Sequence, residues 1–346
     1  MKIMHLLESP RFSGAENVVC QIIGMLSDNI EYKLIYCSRD GQIREALCER
    51  EIQFAPIKEL SVREVRRVIR ENKPDIIHAH DMKASYIAAR ACGNVKLICH
   101  IHNNSFDSRG LSMKALGFMI AAQKAKHIFY VSDSSYKGYF FHKLFERKSE
   151  VLYNIIDIDS LIEKMNFDKN KYNYDIVYLG RLTTPKNPKR LLKVIEGVVN
   201  RLPDTKIAII GTGDLEEEVR NEVDALKLNK NVCFLGFQNN PYKILHDSKL
   251  MLMTSLWEGT PMCVLEAMSL GVPIVSTPTD GVHYIVEDGQ TGILSDSNIG
   301  LVDACCRIII DENLREEMSA LSKRRAQVMM DKSSYVKCII NAYEYD

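Results

Sequence analysis

The chain has 346 residues, 46% hydrophobic and 26% charged, with 45 Lys and Arg against 45 Asp and Glu. Those proportions are those of a soluble globular protein, and the length suits two domains of about 150–180 residues rather than one core. No apolar run approaches the roughly 18 residues that span a bilayer, the first strand begins at once without a signal peptide, and nothing points to nucleic acid, so a cytoplasmic protein is expected.

Strand-like runs at 2–7, 32–36, 76–79, 96–101 and 127–131 alternate with helical patterns at 15–26, 62–72 and 83–92. The scheme repeats at 175–179, 206–210, 232–235, 250–253 and 274–276. Strands apolar throughout and separated by helices predict parallel sheets covered on both faces. The fold class is therefore α/β, two Rossmann-like doubly wound domains over 1–160 and 172–330, with a polar seam between 157 and 174. A last amphipathic helix over 334–346 carries Tyr335, Ile339, Ala342 and Tyr343 along one side. Ten scattered cysteines without a Cys-x-x-Cys pair read as reduced core thiols. Residues 60–150 hold sixteen Lys and Arg against eight Asp and Glu, a net of +8 that invites an anionic partner, phosphate or membrane surface.

Residues 255–276 are the most informative stretch. A buried strand breaks at Trp257–Pro261, a helix restarts from about Met262 to Ser269, and a strand returns at 273–276. Pro261 suits the first helical turn, and Gly259 lets backbone approach a ligand above that helix end. The amides of Thr260, Pro261's neighbour Met262, Cys263 and Val264 are expected to converge on an anion. Glu258 and Glu266 bracket that anion site, which is repulsive unless they accept from sugar hydroxyls; a nucleotide sugar satisfies both needs, and ordinary surface glutamates are the alternative. Gly180-Arg181-Leu182 and Lys186 follow strand 175–179, where open parallel sheets bind ligands; Arg181 and Lys186 suit two adjacent phosphates, a solvated basic loop being the bland reading. Gly211-Thr212-Gly213 lacks the third glycine of a dinucleotide fingerprint and is read as shaping the loop. Ser13-Gly14-Ala15-Glu16 opens the first helix, and Gly14 can approach a phosphate.

Glu258-Gly-x-Pro261, with Glu266 eight positions after the first glutamate and then Ala267-x-x-x-Gly271-x-Pro273-Ile-Val, resembles the donor signature of retaining glycosyltransferase family 4. The resemblance implies the GT-B architecture, two Rossmann-like domains facing across a cleft with the final helix crossing back to the first. It further implies that Arg181 and Lys186 neutralise a leaving diphosphate, that Glu258 orients the donor sugar, that Glu266 holds ribose hydroxyls and that Phe237 lies beside the base. The family's Gly-Gly-Ala-Glu turn appears here with Ser13 in place of the first glycine. A family histidine meeting the donor sugar corresponds to the end of strand 96–101; His100 and His102 are read as facing opposite ways, with His102 favoured for the site.

The resemblance implies transfer of a sugar, UDP-linked, from a nucleotide-diphosphate donor to a glycan or polyprenyl-diphosphate-linked acceptor in capsule or exopolysaccharide synthesis, without metal or other cofactor. His78 and His80 form a poorly supported metal pair, and Asp157-Ile158-Asp159 is a chance Asp-x-Asp. A basic helix at 62–73 and an aromatic-basic segment at 137–148 suggest reversible contact with anionic membrane. An inactive sugar-nucleotide-binding subunit and a dinucleotide oxidoreductase are the competing classes; the latter wants Gly-x-Gly-x-x-Gly at the first strand–helix turn, which is missing.

Overall fold

A computed structural model describes residues 1–27, 29–102 and 108–345. Its two compact units are Met1–Ile155 with Lys332–Asp346, and Ile156–Asp331. Asn103 and Asn104, which follow His102 in the family-like motif, lie outside the described residues.

The first unit has six strands, β1 (Lys2–Leu6), β2 (Lys33–Cys37), β3 (Ile76–His80), β4 (Lys96–Ile101), β5 (His127–Tyr130) and β6 (Ser149–Val151). They pair in the order β2-β1-β3-β4-β5-β6, all parallel. Alternation sends Met4, Leu6, Ile77, Ala79, Cys99 and Ile101 to one face, where they form the larger core with the helices Val62–Asn72, Asp81–Ala91 and Met113–Lys124. The other face carries His5, His78, His80 and His100, and Tyr343 of the helix Lys332–Glu344 packs against His78. The four residues expected along one side of that helix are its buried residues.

The second unit has β7 (Ile176–Leu179), β8 (Ile207–Ile210), β9 (Val232–Gly236), β10 (Leu250–Met253), β11 (Ile274–Ser276) and β12 (Gly292–Leu294), in the order β12-β11-β10-β7-β8-β9. Read from β9, strand order runs outward from the unit's third strand to its first and then jumps to its fourth. The reversal lies between β7 and β10, and such switch points are where open sheets bind ligands, beyond the carboxyl ends of the strands.

β6 and β12 were not expected from sequence. Each is three residues long at a sheet edge, and Ser149-Glu150-Val151 is too short and polar to register as an apolar run. The seam holds a helix, Ile158–Phe167, for which Asp157 is the N-cap, accepting from the Ser160 amide at 3.2 Å. The Asp-x-Asp is thus the start of a helix. Six cysteines (20, 37, 92, 99, 305 and 306) are buried free thiols, while Cys48 and Cys233 are exposed.

Candidate functional site

Adjacent strands β7 and β10 set two loops side by side. The Leu256 amide donates to the Pro185 carbonyl at 2.8 Å, and the Thr254 hydroxyl donates to the Asn187 carbonyl at 3.1 Å. The result is an ion pair: Lys186 Nζ lies 2.5 Å from Glu258 Oε1, with both side chains largely buried. Ser255 Oγ donates to the same carboxylate oxygen at 2.6 Å. Burial is the largest single influence and lowers the Lys186 pKa, but the charge and hydrogen bond of Glu258 together with Cys263 outweigh it, so the pKa is raised and the ammonium stays charged. Lys186, read from sequence as a cation for phosphate, thus shares its charge with the neighbouring glutamate.

Arg181 is exposed at the end of β7. Its loop is tied down by the Tyr178 hydroxyl, which donates to the Arg181 carbonyl at 2.8 Å, and by the Leu182 amide, which donates to the Thr212 carbonyl at 3.0 Å. The Gly211-Thr212-Gly213 turn permits this. A Cβ on Gly211 (φ +128°) would lie 2.0 Å from the Gly180 carbonyl oxygen, and one on Gly213 would lie 2.2 Å from that of Leu182. These glycines shape the arginine loop. A Cβ on Gly180 would lie 3.2 Å from the Tyr178 hydroxyl oxygen.

Beyond β10 the helix runs Met262–Leu270 and closes at Gly271 in the left-handed region. Pro261 is the N-cap, with extended ψ of 113°, rather than a residue of the first turn. Its carbonyl takes the Val264 amide at 3.1 Å and the Leu265 amide at 3.3 Å. Val264 therefore leaves the expected set of anion-facing amides, and Met262 and Cys263 precede the first intrahelical bond. Thr260 and Pro261 are buried, and Gly259 is half-buried. Burial pushes the Cys263 thiol up to about 12, so it is a neutral neighbour of Lys186 and no nucleophile. Glu266 is buried in the helix and accepts from the Tyr242 hydroxyl at 3.4 Å. Phe237, just past β9, is 50% exposed and follows Gly236 at φ +64°.

Three contributors escaped the sequence reading. Ser255 fixes Glu258, Tyr242 meets Glu266, and Gly281 lets the Gly259 carbonyl approach to where a Cβ would be 1.5 Å away. Ser255 was within the motif, and Gly281 opens the helix Asp280–Ile285, but neither announces its partner in sequence.

Gly14 and His102 belong to the first unit. Gly14 opens the helix Gly14–Leu26, a Cβ there would meet nothing within 4 Å, and Ser13 Oγ donates to Glu16. His100 and His102 do not point opposite ways, because residues two apart on a strand share a face. Their rings stack with centroids 4.4 Å apart. His100 is fully buried and His102 half-buried, with its amide donating to Asp81 at 3.0 Å. Groups of His5, His78 and His80, and of His80, His100 and His102, bring ligating nitrogens within 4.8 Å of one another. In the helix Val62–Asn72, Arg67 is not part of a free basic face: it pairs with Glu64 at 3.0 Å and Glu71 at 2.7 Å. Phe141 packs on the core, leaving Phe140 exposed.

Comparison with known proteins agrees with this layout. The description "Glycosyltransferase Family 4" matches residues 12–160 and "Glycosyl transferases group 1" matches 159–325. An uncharacterized glycosyltransferase of Methanocaldococcus jannaschii is 31% identical over 62% of this chain, which spans 58% of that relative's length. A UDP-Gal:alpha-D-GlcNAc-diphosphoundecaprenol alpha-1,3-galactosyltransferase of Escherichia coli is 25% identical over 91% of this chain and 89% of its own. The crystal structure of Anabaena Alr3699/HepE in complex with UDP and glucose has a TM-score of 0.86 at 21% identity, covering 100% of both chains. Two six-stranded parallel Rossmann-like domains with these matches identify the chain as a glycosyltransferase of the family 4 type, with the GT-B fold.

Proposed function

We propose that the chain is a retaining glycosyltransferase moving a sugar from a UDP-linked donor to a hydroxyl of a polyprenyl-diphosphate-linked glycan in cell-surface polysaccharide synthesis. The observation that carries this reading is the Lys186–Glu258 pair beside Arg181 and the helix start at Met262, all at the β7/β10 switch point. Cleavage of a glycosidic bond to diphosphate loads negative charge on the leaving group. Arg181, Lys186 and the Met262 and Cys263 amides oppose that charge most strongly in the transition state. With cations supplied by side chains, no metal ion is called for. Glu258, fixed by Lys186 and Ser255, presents its carboxylate to the donor sugar; Glu266 takes ribose hydroxyls and Phe237 the base. A phosphate oxygen of the leaving group accepts the acceptor's proton on the retained face. The polyprenyl acceptor is the kind printed in the name of the Escherichia coli relative.

The acceptor's membrane meets the first unit. On the helix Met113–Lys124, Met113, Leu116 and Ile120 are exposed at helical spacing; Leu111, Phe140 and Leu144 are exposed as well, and the Phe140 amide donates to the Ser108 carbonyl at 2.9 Å. Lys114, Lys137 and Lys143 intersperse these positions, combining apolar and cationic groups as an anionic interface demands. No described helix is long and apolar enough to cross a membrane.

A panel of UDP-, GDP- and ADP-sugars, assayed for transfer to a polyprenyl-diphosphate sugar with anomeric configuration read by NMR, tests the activity. An inverted product overturns retention, and activity abolished by EDTA and restored by magnesium or manganese overturns the metal-free account. Co-sedimentation with anionic vesicles should be lost at high salt and in a Met113→Ser, Ile120→Ser, Phe140→Ser variant; equal, negligible pelleting on anionic and neutral vesicles would point to a soluble acceptor.

A further inference from the structure

The histidines of the first sheet form an ordered line that ends at His102. His5 Nδ1 lies 3.0 Å from His80 Nε2, and His80 Nδ1 lies 2.8 Å from His102 Nε2. A neutral imidazole has one N–H and one lone pair. His80 bonds through both nitrogens, so it donates at one and accepts at the other. The line therefore has two self-consistent states, with the proton on Nδ1 of all three rings or on Nε2 of all three. Burial lowers the proton affinity of all three rings, strongly for His5 and His80, which opposes a second proton on the line.

The two ends differ. At the His102 end, Asp81 holds a carboxylate 3.0 Å from the His102 amide, and its charge draws protons toward that ring. At the other end, His5 Nε2 is buried and has no partner among the described residues. His102 Nδ1 is likewise buried and without a partner among the described residues. The carboxylate favours the state in which His102 Nδ1 carries the hydrogen and waits for an acceptor. A shared metal ion is the rival use of these rings. An ion lies in the plane of every imidazole that ligates it, whereas His78 and His80 stack 4.4 Å apart at 26° and His100 and His102 4.4 Å apart at 24°. Nitrogen lone pairs of stacked rings run alongside one another and do not converge.

We propose that His5 and His80 are positioning residues that lock His102 in the Nδ1–H tautomer, the less favoured form of a free imidazole, so that it offers a hydrogen bond to an oxygen of the donor sugar. This rests on the reading of His102 as a donor contact. Nitrogen-15 histidine NMR of the full chain without ligand tests the line itself. His5, His80 and His102 should all show protonated Nδ1; His80→Phe should return His102 to Nε2–H, and His80→Gln, whose amide both accepts and donates, should restore Nδ1–H. Nε2–H at His102 in the wild-type chain overturns the proposal even if His80→Phe fails to fold, as does Nδ1–H that persists in a folded His80→Phe. Stoichiometric zinc in the purified protein, lost from both His80 variants, overturns it in favour of a metal centre.

Calorimetry with UDP-glucose, UDP-galactose and UDP-N-acetylglucosamine, each against UDP, tests the donor contact. For the tightest of the three, the preference over UDP should fall about tenfold in His80→Phe and His102→Ala and be kept in His80→Gln, as for one lost hydrogen bond. A preference unmoved in His102→Ala, with the NMR pattern intact, overturns the donor contact and the reading beneath it while leaving the tautomer lock standing.

Discussion

The two sheets of this chain are built alike and used differently. Each has six parallel strands and a reversal of strand order, between β1 and β3 in the first unit and between β7 and β10 in the second. At the first reversal the polar residues are imidazoles buried without charge. At the second they are a lysine and a glutamate buried as a charged pair. A fold of this kind thus admits polar groups near a switch point by two routes, either neutralising them by depressed proton affinity or pairing them. The first route makes stability depend on pH, while the second makes it depend on both partners being present.

The largest expected effect separates the units by pH. The His5 pKa is lowered to about 3, and His78, His80 and His100 are lowered well below the usual value, burial being the first cause for each. Unfolded, each titrates near its ordinary pKa of about 6.5. As pH falls below that value the unfolded chain binds protons that the folded chain refuses, so stability is lost on acidification and kept above it. From pH 7.5 to 5.5 each imidazole forfeits about 1.4 kcal/mol, or on the order of 5 kcal/mol for the four. Hydrogen exchange at the two pH values should show the first sheet weakening ahead of the second. Equal loss in both would break the contrast.

Removing one member of the charged pair comes next. Lys186→Ala and Arg181→Ala should each raise the barrier for transfer by about 2–4 kcal/mol, through loss of cationic stabilisation of the leaving group. Lys186→Ala also strands Glu258, so its melting temperature should fall, whereas that of exposed Arg181→Ala should not. A Lys186→Met, Glu258→Gln double variant should regain stability without activity. Activity retained in either single variant would remove these residues from the site.

Gly281→Ala tests the backbone that holds the second site. Its Cβ would lie 1.5 Å from the Gly259 carbonyl oxygen, so the loop carrying Glu258 must shift. About 1–3 kcal/mol of stability should be lost, in the range of overpacked interiors, along with turnover. Gly14→Ala has open space and should fold normally.

The two units were also unequally legible. In the second, the strands and the candidate site residues were read from local signals: short apolar runs, and the Glu258–Glu266 motif on a strand–loop–helix unit. What stayed hidden was pairing across sequence distance, such as Lys186 with Glu258, 72 positions apart, and Gly281 against Gly259. Hydrophobic periodicity reports burial, and it does not report which polar atoms meet. In the first unit the histidines were visible but their common face was misread, because period-2 alternation places His100 and His102 together. His5 joins them only through the pairing of β1 with β3, which sets His5 opposite His78. Strands β6 and β12 escaped because an edge strand of three residues is held by its neighbour's hydrogen bonds more than by its own apolar pattern.

The smallest effect sharpens the comparison most. Ser255 contributes one neutral donor to a carboxylate that already has a charged partner, at 2.6 Å against 2.5 Å for Lys186. Ser255→Ala leaves the ion pair and removes only the contact that fixes which way the Glu258 carboxylate turns. A hydrogen bond to a charged group of this kind is worth about 1.5–3 kcal/mol when fully lost, but Glu258 keeps its lysine, so about 1 kcal/mol is expected. If Glu258 acts by presenting its carboxylate to the reacting sugar, that loss should appear in kcat, with donor KM and melting temperature nearly unchanged. A fall in melting temperature with kcat intact would mean that Ser255 serves the fold alone, and that the pair at the second switch point is held as structure, like the imidazoles at the first.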